Sequence, residues 1–269
     1  MSGFSADWLT LREPYDLRAR NRTVLDAVAA SLKPRSSVRV IDLACGTGST
    51  LRALSPRLPA QQNWKLIDND PDLLAHATAA PPAKDATVTA IALDLNRDLD
   101  AALDGTVDLV ATSALLDLVS DAWLHRLAGA LAAHSIPFYA ALSYDGRVVF
   151  APPDPSDTVI TAAAKAHQRT DKGFGPALGP AAAGFAIACF EGLGYSVAHG
   201  TSDWTIGPDD RDLQHEILSG WAAAAHEIGA LSLADTTAWL TRRRDAVAAG
   251  RSSLLVGHVD FFATPSATR

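Results

Sequence analysis

The residues best placed to do chemistry in this 269-residue chain lie in Val40-Ile41-Asp42-Leu43-Ala44-Cys45-Gly46-Thr47-Gly48. A short apolar run closes on an aspartate and enters a turn that holds two glycines. Gly46 and Gly48 lack a Cβ, so the backbone there can bend sharply and lie against a ligand. Such a ligand sits at the carboxyl ends of parallel strands, where open α/β sheets bind cofactors. Two more acids occupy comparable places. Asp68 closes a second apolar run in Leu66-Ile67-Asp68-Asn69-Asp70-Pro71, and Asp94 closes a third in Ala92-Leu93-Asp94-Leu95. A dinucleotide site would need Gly-x-Gly-x-x-Gly. Here Gly46-Thr47-Gly48-Ser49-Thr50 is followed by Leu51, so the third glycine is missing.

Regular elements must hold these residues in place. The apolar spacing of Leu17, Val24, Leu25, Val28 and Leu32 predicts a first helix from Pro14 to Leu32, with Pro34 as its stop. Apolar runs at Val38–Leu43, Trp64–Ile67, Val88–Leu93, Val107–Ala111 and Ile136–Ser143 read as five strands alternating with helices. That alternation indicates a parallel sheet covered on both faces. Asp145-Gly146 reads as a tight hairpin turn. Beyond it come helices ending near Arg169 and spanning Ala181–Leu193, a strand over Tyr195–Ile206, helices over Asp209–Ile228 and Ser232–Ala249, and a last strand over Leu254–Ala263. No internal repeat or linker interrupts the chain, so residues 1–269 are expected to form one domain. Its core spans about 36–143, and two elaborations, about 144–180 and 207–250, are available to build a lid.

The turn resembles the first motif of the class I S-adenosylmethionine-dependent methyltransferases, a strand followed by Asp-x-Gly-x-Gly-x-Gly. Ala44 stands in the first glycine place. The resemblance covers roughly residues 36–143. It implies a Rossmann-like α/β fold with a mainly parallel seven-stranded sheet, helices on both faces and helical insertions toward the C-terminal half. The implied cofactor is S-adenosylmethionine, leaving as S-adenosylhomocysteine. Asp42, Ala44, Gly46 and Gly48 would then form the cofactor turn, and Asp68, with Asn69, would receive the ribose hydroxyls on two acceptor oxygens. Asp94 would face the adenine amino group, and the Leu95 N–H would serve the ring. Ser113 would lie near the methionine part. Arg20, on the helix that covers the cofactor in many relatives, is the candidate partner of its carboxylate, with Tyr15 a comparable choice.

Methyl transfer is an in-line displacement in which the protein mainly aligns an acceptor and excludes water. A base is needed only where the nucleophile must lose a proton. Relatives that methylate planar amides or exocyclic amines carry Asn/Asp-Pro-Pro-aromatic after the fourth strand. This chain reads Thr112-Ser113-Ala114-Leu115-Leu116-Asp117 there, which disfavours nucleic-acid or protein-amide methylation. A small-molecule acceptor is therefore expected, with a SAM-binding regulatory partner that lacks catalysis as the alternative. Asp117 is a candidate base or acceptor ligand, or else a helix cap. His167, with Arg169 and Lys172, leads into the loop holding Gly173, Gly175 and Gly179. The group is either part of a lid over the acceptor or a charged helix end.

Bulk properties narrow the setting. A net charge of -7 argues against a polyanionic partner. Arg242-Arg243-Arg244 reads as a solvated helix end. Cys45 and Cys189 suggest neither a disulfide framework nor a zinc site. The pairs His215-Glu216 and His226-Glu227 stand about 16 Å apart on one helix, too far to share an ion, so no metal is expected. With no signal-peptide order at the N-terminus and no apolar run of the ~20 residues a membrane span needs, the expected location is cytoplasmic.

Overall fold

The computed structural model of the chain describes residues 4–79 and 85–266. Helix α1 (Ala6–Ala19) begins at Ser5, whose hydroxyl accepts the Trp8 N–H at 3.1 Å, and α2 (Arg22–Leu32) follows. The single helix expected from Pro14 is thus two, and Pro14 lies inside the first. The chain turns at Arg20 (φ -48°, ψ 131°), and Asn21 caps α2 by accepting the Val24 N–H at 3.1 Å. Close packing holds this corner. The Asn21 N–H donates to Asp260 at 2.9 Å and its side-chain amide to the Thr201 carbonyl at 3.0 Å. A Cβ on Gly200 would come within 2.3 Å of that amide nitrogen.

Five strands then alternate with helices: β1 (Ser37–Leu43), α3 (Ser49–Leu54), β2 (Gln61–Asp68), α4 (Pro71–Ala79), β3 (Ala86–Ala92), α5 (Leu99–Ala102), β4 (Leu109–Ser113), α6 (Asp121–Ala133) and β5 (Phe138–Ala151). These strands are all parallel, in the spatial order β3-β2-β1-β4-β5. The chain continues through α7 (Asp157–Gln168), α8 (Ala182–Gly192), β6 (Tyr195–Thr201), β7 (Trp204–Ile206), α9 (Arg211–Glu227), α10 (Leu233–Ala248) and β8 (Ser253–Pro265). Successive strand residues point to opposite faces, which produces two apolar layers. Ile41, Val110 and Phe138 pack with α6 and α8, whereas Val40, Leu109 and Tyr139 pack with α2, α3 and α4.

β8 runs antiparallel between β5 on one side and both β6 and β7 on the other. Among the described residues the sheet therefore has eight strands, mostly parallel, because the expected Tyr195–Ile206 strand breaks at Ser202-Asp203. Asp203 instead accepts the His258 N–H at 3.1 Å and binds Arg147 at 2.6 Å. Asp145-Gly146 is not a hairpin turn. β5 runs through it as a bulge, with Gly146 at φ +85° and a register shift between Tyr144 and Val148. A bulge uses a left-handed glycine as readily as a hairpin does, and Gly257 opposite leaves room, since a Cβ there would lie 2.3 Å from Asp145.

A third apolar cluster joins Tyr144, Phe150, Ile160 and Trp204 to α9 and α10. Here the arginine run departs from the solvated reading. Arg243 is buried, ion-paired with Asp157, bonded to the Pro152 carbonyl at 2.7 Å and stacked 4.3 Å from the Phe150 ring centre. Arg242 pairs with Asp154 at 2.6 Å. Trp239 is fully buried and donates to Asp157 at 2.9 Å, so α10 belongs to the core. Among the described residues, no helix is long and apolar enough to cross a membrane.

Candidate active site

A cavity of about 360 Å³ opens at the carboxyl ends of β1 to β4, within the usual size range of small-molecule sites. Ala44, Cys45, Gly46, Thr47 and Ser49 line it from the turn after β1. Asp68, Asn69 and Asp70 line it after β2, Leu93, Asp94 and Leu95 after β3, and Ser113, Ala114 and Leu115 after β4. Four separate strand ends thus bring together Ala44, Gly46, Asp68, Asn69, Asp94, Leu95 and Ser113, whereas Asp42, Gly48, Arg20, Tyr15, Asp117 and His167 do not line the cavity.

The turn is locked by its backbone. The Cys45 N–H donates to the Ile67 carbonyl at 2.9 Å, and the Gly48 N–H returns to the Cys45 carbonyl at 2.8 Å. Ala44, Gly46 and Gly48 all have positive φ, of +52°, +52° and +86°. Ala44 therefore holds a left-handed conformation that costs an alanine about 1–2 kcal/mol. A Cβ on Gly46 would stand 3.0 Å from the Leu9 side chain, which shows how closely α1 lies over the turn. Burial pushes the Cys45 thiol up, making it a poor nucleophile.

Asp68 is fixed at the cavity wall. One carboxylate oxygen accepts the Gly46 N–H at 2.9 Å and the other accepts the Asp70 N–H at 3.1 Å. Burial raises its pKa, and these two N–H groups work against the rise. Asp94 lies two residues beyond the end of β3, accepts the Asn96 N–H at 2.9 Å and pairs with Arg97 at 3.0 Å. Leu95 is buried, and its carbonyl accepts the Trp123 ring N–H at 2.8 Å. Asn69 is exposed on the rim.

Asp42 lies beneath the turn, fully buried, and neither of its oxygens has a hydrogen-bond partner. Burial pushes it up to about 8, against the pull of the Arg20 charge. Arg20 is buried behind the wall. It donates to the Tyr139 hydroxyl at 3.2 Å, Ser113 at 3.4 Å, Thr50 at 3.4 Å and Ser49 at 3.5 Å. Its link to the cavity runs through Ser49 and Ser113. Tyr15 donates to Asp210 at 2.8 Å and does not line the cavity.

The candidate catalytic residues separate. His167 pairs with Glu227 at 2.9 Å, joining α7 to α9, and does not line the cavity. Arg169 is exposed, and of that basic group only Lys172 reaches the cavity. The reason is the helix end. Arg169 caps α7, and the chain must run three residues further before it meets the site. Asp117 sits in a 3₁₀ turn, Leu116–Leu118, between the cavity-lining Leu115 and Leu118. It is buried, one of its oxygens has no partner, and burial pushes it up to about 7 against the opposing Arg12 charge. It does not cap α6, because Ser120 accepts the Trp123 N–H at 3.2 Å in that role.

Sequence reasoning missed the roof. Phe4, Leu9, Arg12 and Asp16 line the cavity from the α1 side, with Arg12 and Asp16 paired at 2.9 Å. The readable signal was Ser5 ahead of Ala6-Asp7-Trp8, a capping pattern without an apolar stripe behind it. Lys172, Gly173 and Phe174 form a second cover. Asn96 donates to the Gly173 carbonyl at 2.8 Å, and Phe174 meets the Trp123 ring edge-on at 5.4 Å. Among the described residues, no group of three or more His, Cys, Asp or Glu could hold a metal ion.

Known proteins match this arrangement. Residues 40–135 match the family model described as "Methyltransferase domain". The biotin biosynthesis bifunctional protein BioCD of Bordetella avium is 35% identical over 96 residues, which is 35% of this chain and 18% of that protein. The chain thus spans less than a fifth of that relative's length. A cyclopropane-fatty-acyl-phospholipid synthase-like protein from Lactobacillus casei superposes with a TM-score of 0.55 at 17% identity, covering 98% of this chain and 95% of that one. This last likeness is one of fold. The glycine turn, the acids near three strand ends and the matched segment agree: residues 40–135 match a methyltransferase domain, in keeping with the resemblance to the class I S-adenosylmethionine-dependent family.

Proposed function

We propose that this protein transfers a methyl group from S-adenosylmethionine to a small-molecule acceptor. The observation that carries this reading is the single cavity that collects Ala44, Gly46, Asp68, Asn69, Asp94, Leu95 and Ser113 from four strand ends. The residues present suit the cofactor. Gly46 offers backbone without a side chain, and the Asp68 carboxylate, already held by two N–H groups, keeps lone pairs for ribose hydroxyls. Asp94 and the Leu95 N–H would serve the adenine. Ser113 and Ser49, backed by Arg20, would serve the methionine end.

When bound, the cofactor supplies an electrophilic methyl carbon on a sulfonium. The protein's part is to hold, orient and exclude water. Leu9, Arg12 and Asp16 form the roof, and Lys172–Phe174 close a side. Asp117, buried between the cavity-lining Leu115 and Leu118 with one oxygen unpartnered, is the candidate to take a proton from an acceptor that must lose one. A roofed cavity on an acidic chain favours a small acceptor over a polyanion.

The test has two stages. Calorimetric titration should show binding of both S-adenosylmethionine and S-adenosylhomocysteine. Release of S-adenosylhomocysteine should then depend on an added pool of small-molecule acceptors. A folded protein that binds neither compound would sink the proposal.

A further inference from the structure

The connection between α7 and α8 lines the cavity although it belongs to no strand of the sheet. Its residues 171–176 close on themselves. One Asp171 carboxylate oxygen accepts the N–H groups of Gly173 at 2.7 Å and Gly175 at 3.0 Å, and Asp171 pairs with Pro176 as an isolated antiparallel bridge. Gly173 and Gly175 have positive φ, of +101° and +86°. Phe174, between them, is the aromatic side chain of a small loop whose shape is set by its own backbone.

This loop is fastened over the end of β3. Asn96, two residues past Asp94, donates its side-chain amide to the Gly173 carbonyl at 2.8 Å. The Phe174 ring meets the buried Trp123 ring edge-on at 5.4 Å. Trp123 ties the two sides together, because its ring N–H donates to the Leu95 carbonyl at 2.8 Å. Phe174 and Leu95 are thus held by one indole, and both line the cavity with Leu93 and Asp94. An edge-on contact leaves at least one face of the Phe174 ring free of Trp123, and the residue is only half-buried. An aromatic ring left partly open at an apolar cavity wall is suited to a flat partner.

We propose that Phe174 contacts the cofactor by packing its ring against the adenine base, and that the 171–176 loop, latched by Asn96, is the gate through which the base enters and leaves. The proposal rests on the methyltransferase reading and adds a specificity residue and a control of exchange to that site. The loop belongs to the adenine end because its latch, Asn96, directly follows Asp94 and Leu95, the residues assigned to the base. Leu93, Leu95 and Phe174 make that end apolar, and Asp94 is its acceptor for the amino group. Asn96 does not line the cavity. It is a positioning residue that acts through the Gly173 carbonyl. Opening breaks the Asn96–Gly173 bond and the Phe174–Trp123 contact. The Asp171 bonds lie within the loop, so it moves as a unit, in the manner of other active-site lids.

The experiment uses the full chain and two ligands, S-adenosylhomocysteine and S-ribosylhomocysteine, which lacks the base. Phe174→Ala should weaken S-adenosylhomocysteine by about 5- to 150-fold in calorimetry, the scale of one base–aromatic contact. S-ribosylhomocysteine should lose less than about twofold, and Phe174→Tyr should keep most of the native affinity for both. A merely structural role would weaken both ligands equally in Phe174→Ala. Equal losses, or no loss for S-adenosylhomocysteine, overturn the proposal. Phe174→4-fluorophenylalanine gives a reading that depends on neither loss. Its fluorine resonance should shift on saturation with S-adenosylhomocysteine, and an unmoved resonance overturns the contact. Asn96→Ala should speed S-adenosylhomocysteine dissociation several-fold in stopped flow, and an unchanged rate overturns the gate. If the native protein does not bind S-adenosylhomocysteine, the cofactor reading falls first. If it binds and Phe174→Ala binds equally well, only this proposal falls.

Discussion

Replacing Asp68 with alanine is the most direct perturbation of the proposed cofactor site. Its two oxygens accept the Gly46 and Asp70 N–H groups at 2.9 and 3.1 Å. Those bonds aim the carboxylate, and its remaining lone pairs are the ones available to a ribose. A hydrogen bond to a charged group contributes about 1.5–3 kcal/mol. The cofactor loses that amount in the variant, while water filling the vacated space satisfies part of the two freed N–H groups. The expected net weakening is about 1.5–3 kcal/mol, or roughly 10- to 150-fold in Kd. Calorimetry with S-adenosylhomocysteine measures it, and thermal unfolding without ligand separates the loss from misfolding. Asp68→Asn should fall between the variant and the native protein. A folded Asp68→Ala protein that binds within twofold of native would show that this carboxylate does not hold the cofactor.

Other consequences are equally accessible. Ala44→Gly should relieve the positive φ of +52° and stabilise the fold by about 0.5–1 kcal/mol after the entropic cost of glycine, seen as a rise in Tm. An unchanged or lowered Tm would mean the turn is not strained. Arg243→Ala leaves the partly buried Asp157 with only the Trp239 and Asp154 N–H groups as partners and should cost about 3 kcal/mol in urea unfolding. A loss under 1 kcal/mol would return that arginine to the solvated reading. For His258, burial and the Arg12 charge lower the folded pKa from 6.5 to about 3. Its contribution to stability is complete above pH 6.5 and falls as acid protonates the unfolded chain, reaching about 2 kcal/mol lost at pH 5. His258→Asn should flatten that part of the pH–stability curve, and an identical slope would show that the ring is not held neutral.

The glycine-turn side of the cavity was legible because its signals are local. Asp42 through Gly48 is one strand end and one turn, and Asp68 and Asp94 each sit where an apolar run stops. Asp94 lay two residues past its strand because the β3 edge is half exposed and its apolar run outlasts its pairing. The roof was not legible, since α1 docks through polar pairs as well as through Trp8 and Leu11. Arg12 pairs with Asp16, Tyr15 bonds Asp210, and Glu13 pairs with Arg52. Apolar periodicity cannot register such a helix. The same blindness placed Arg243 in solvent, although its partners Asp157 and Pro152 lie about 90 residues earlier. His167 looked suitable by type and neighbourhood, but its orientation is set by Glu227 across an interhelical contact. Pairings between distant segments decide these cases, and a single sequence does not display them.

The position of β8 has a consequence for how the chain is made. It is the last strand in order, yet it is hydrogen-bonded along both edges, to β5 on one side and to β6 and β7 on the other. Synthesis delivers the parallel strands first, and domains acquire structure as the chain emerges. Until residues 253–265 appear, β5 presents an unpaired edge more than ten residues long, while β6 and β7 have nothing to join. An open edge of that kind invites pairing with another chain. The contact between the Trp204 and His258 rings also cannot form before β8 does, since His258 lies within that strand. A nascent chain therefore owns its glycine turn and its acids well before it owns a closed sheet. A ribosome stalled shortly before Ser253 would hold an aggregation-prone intermediate, and a chaperone that shields β5 would be most useful in that interval.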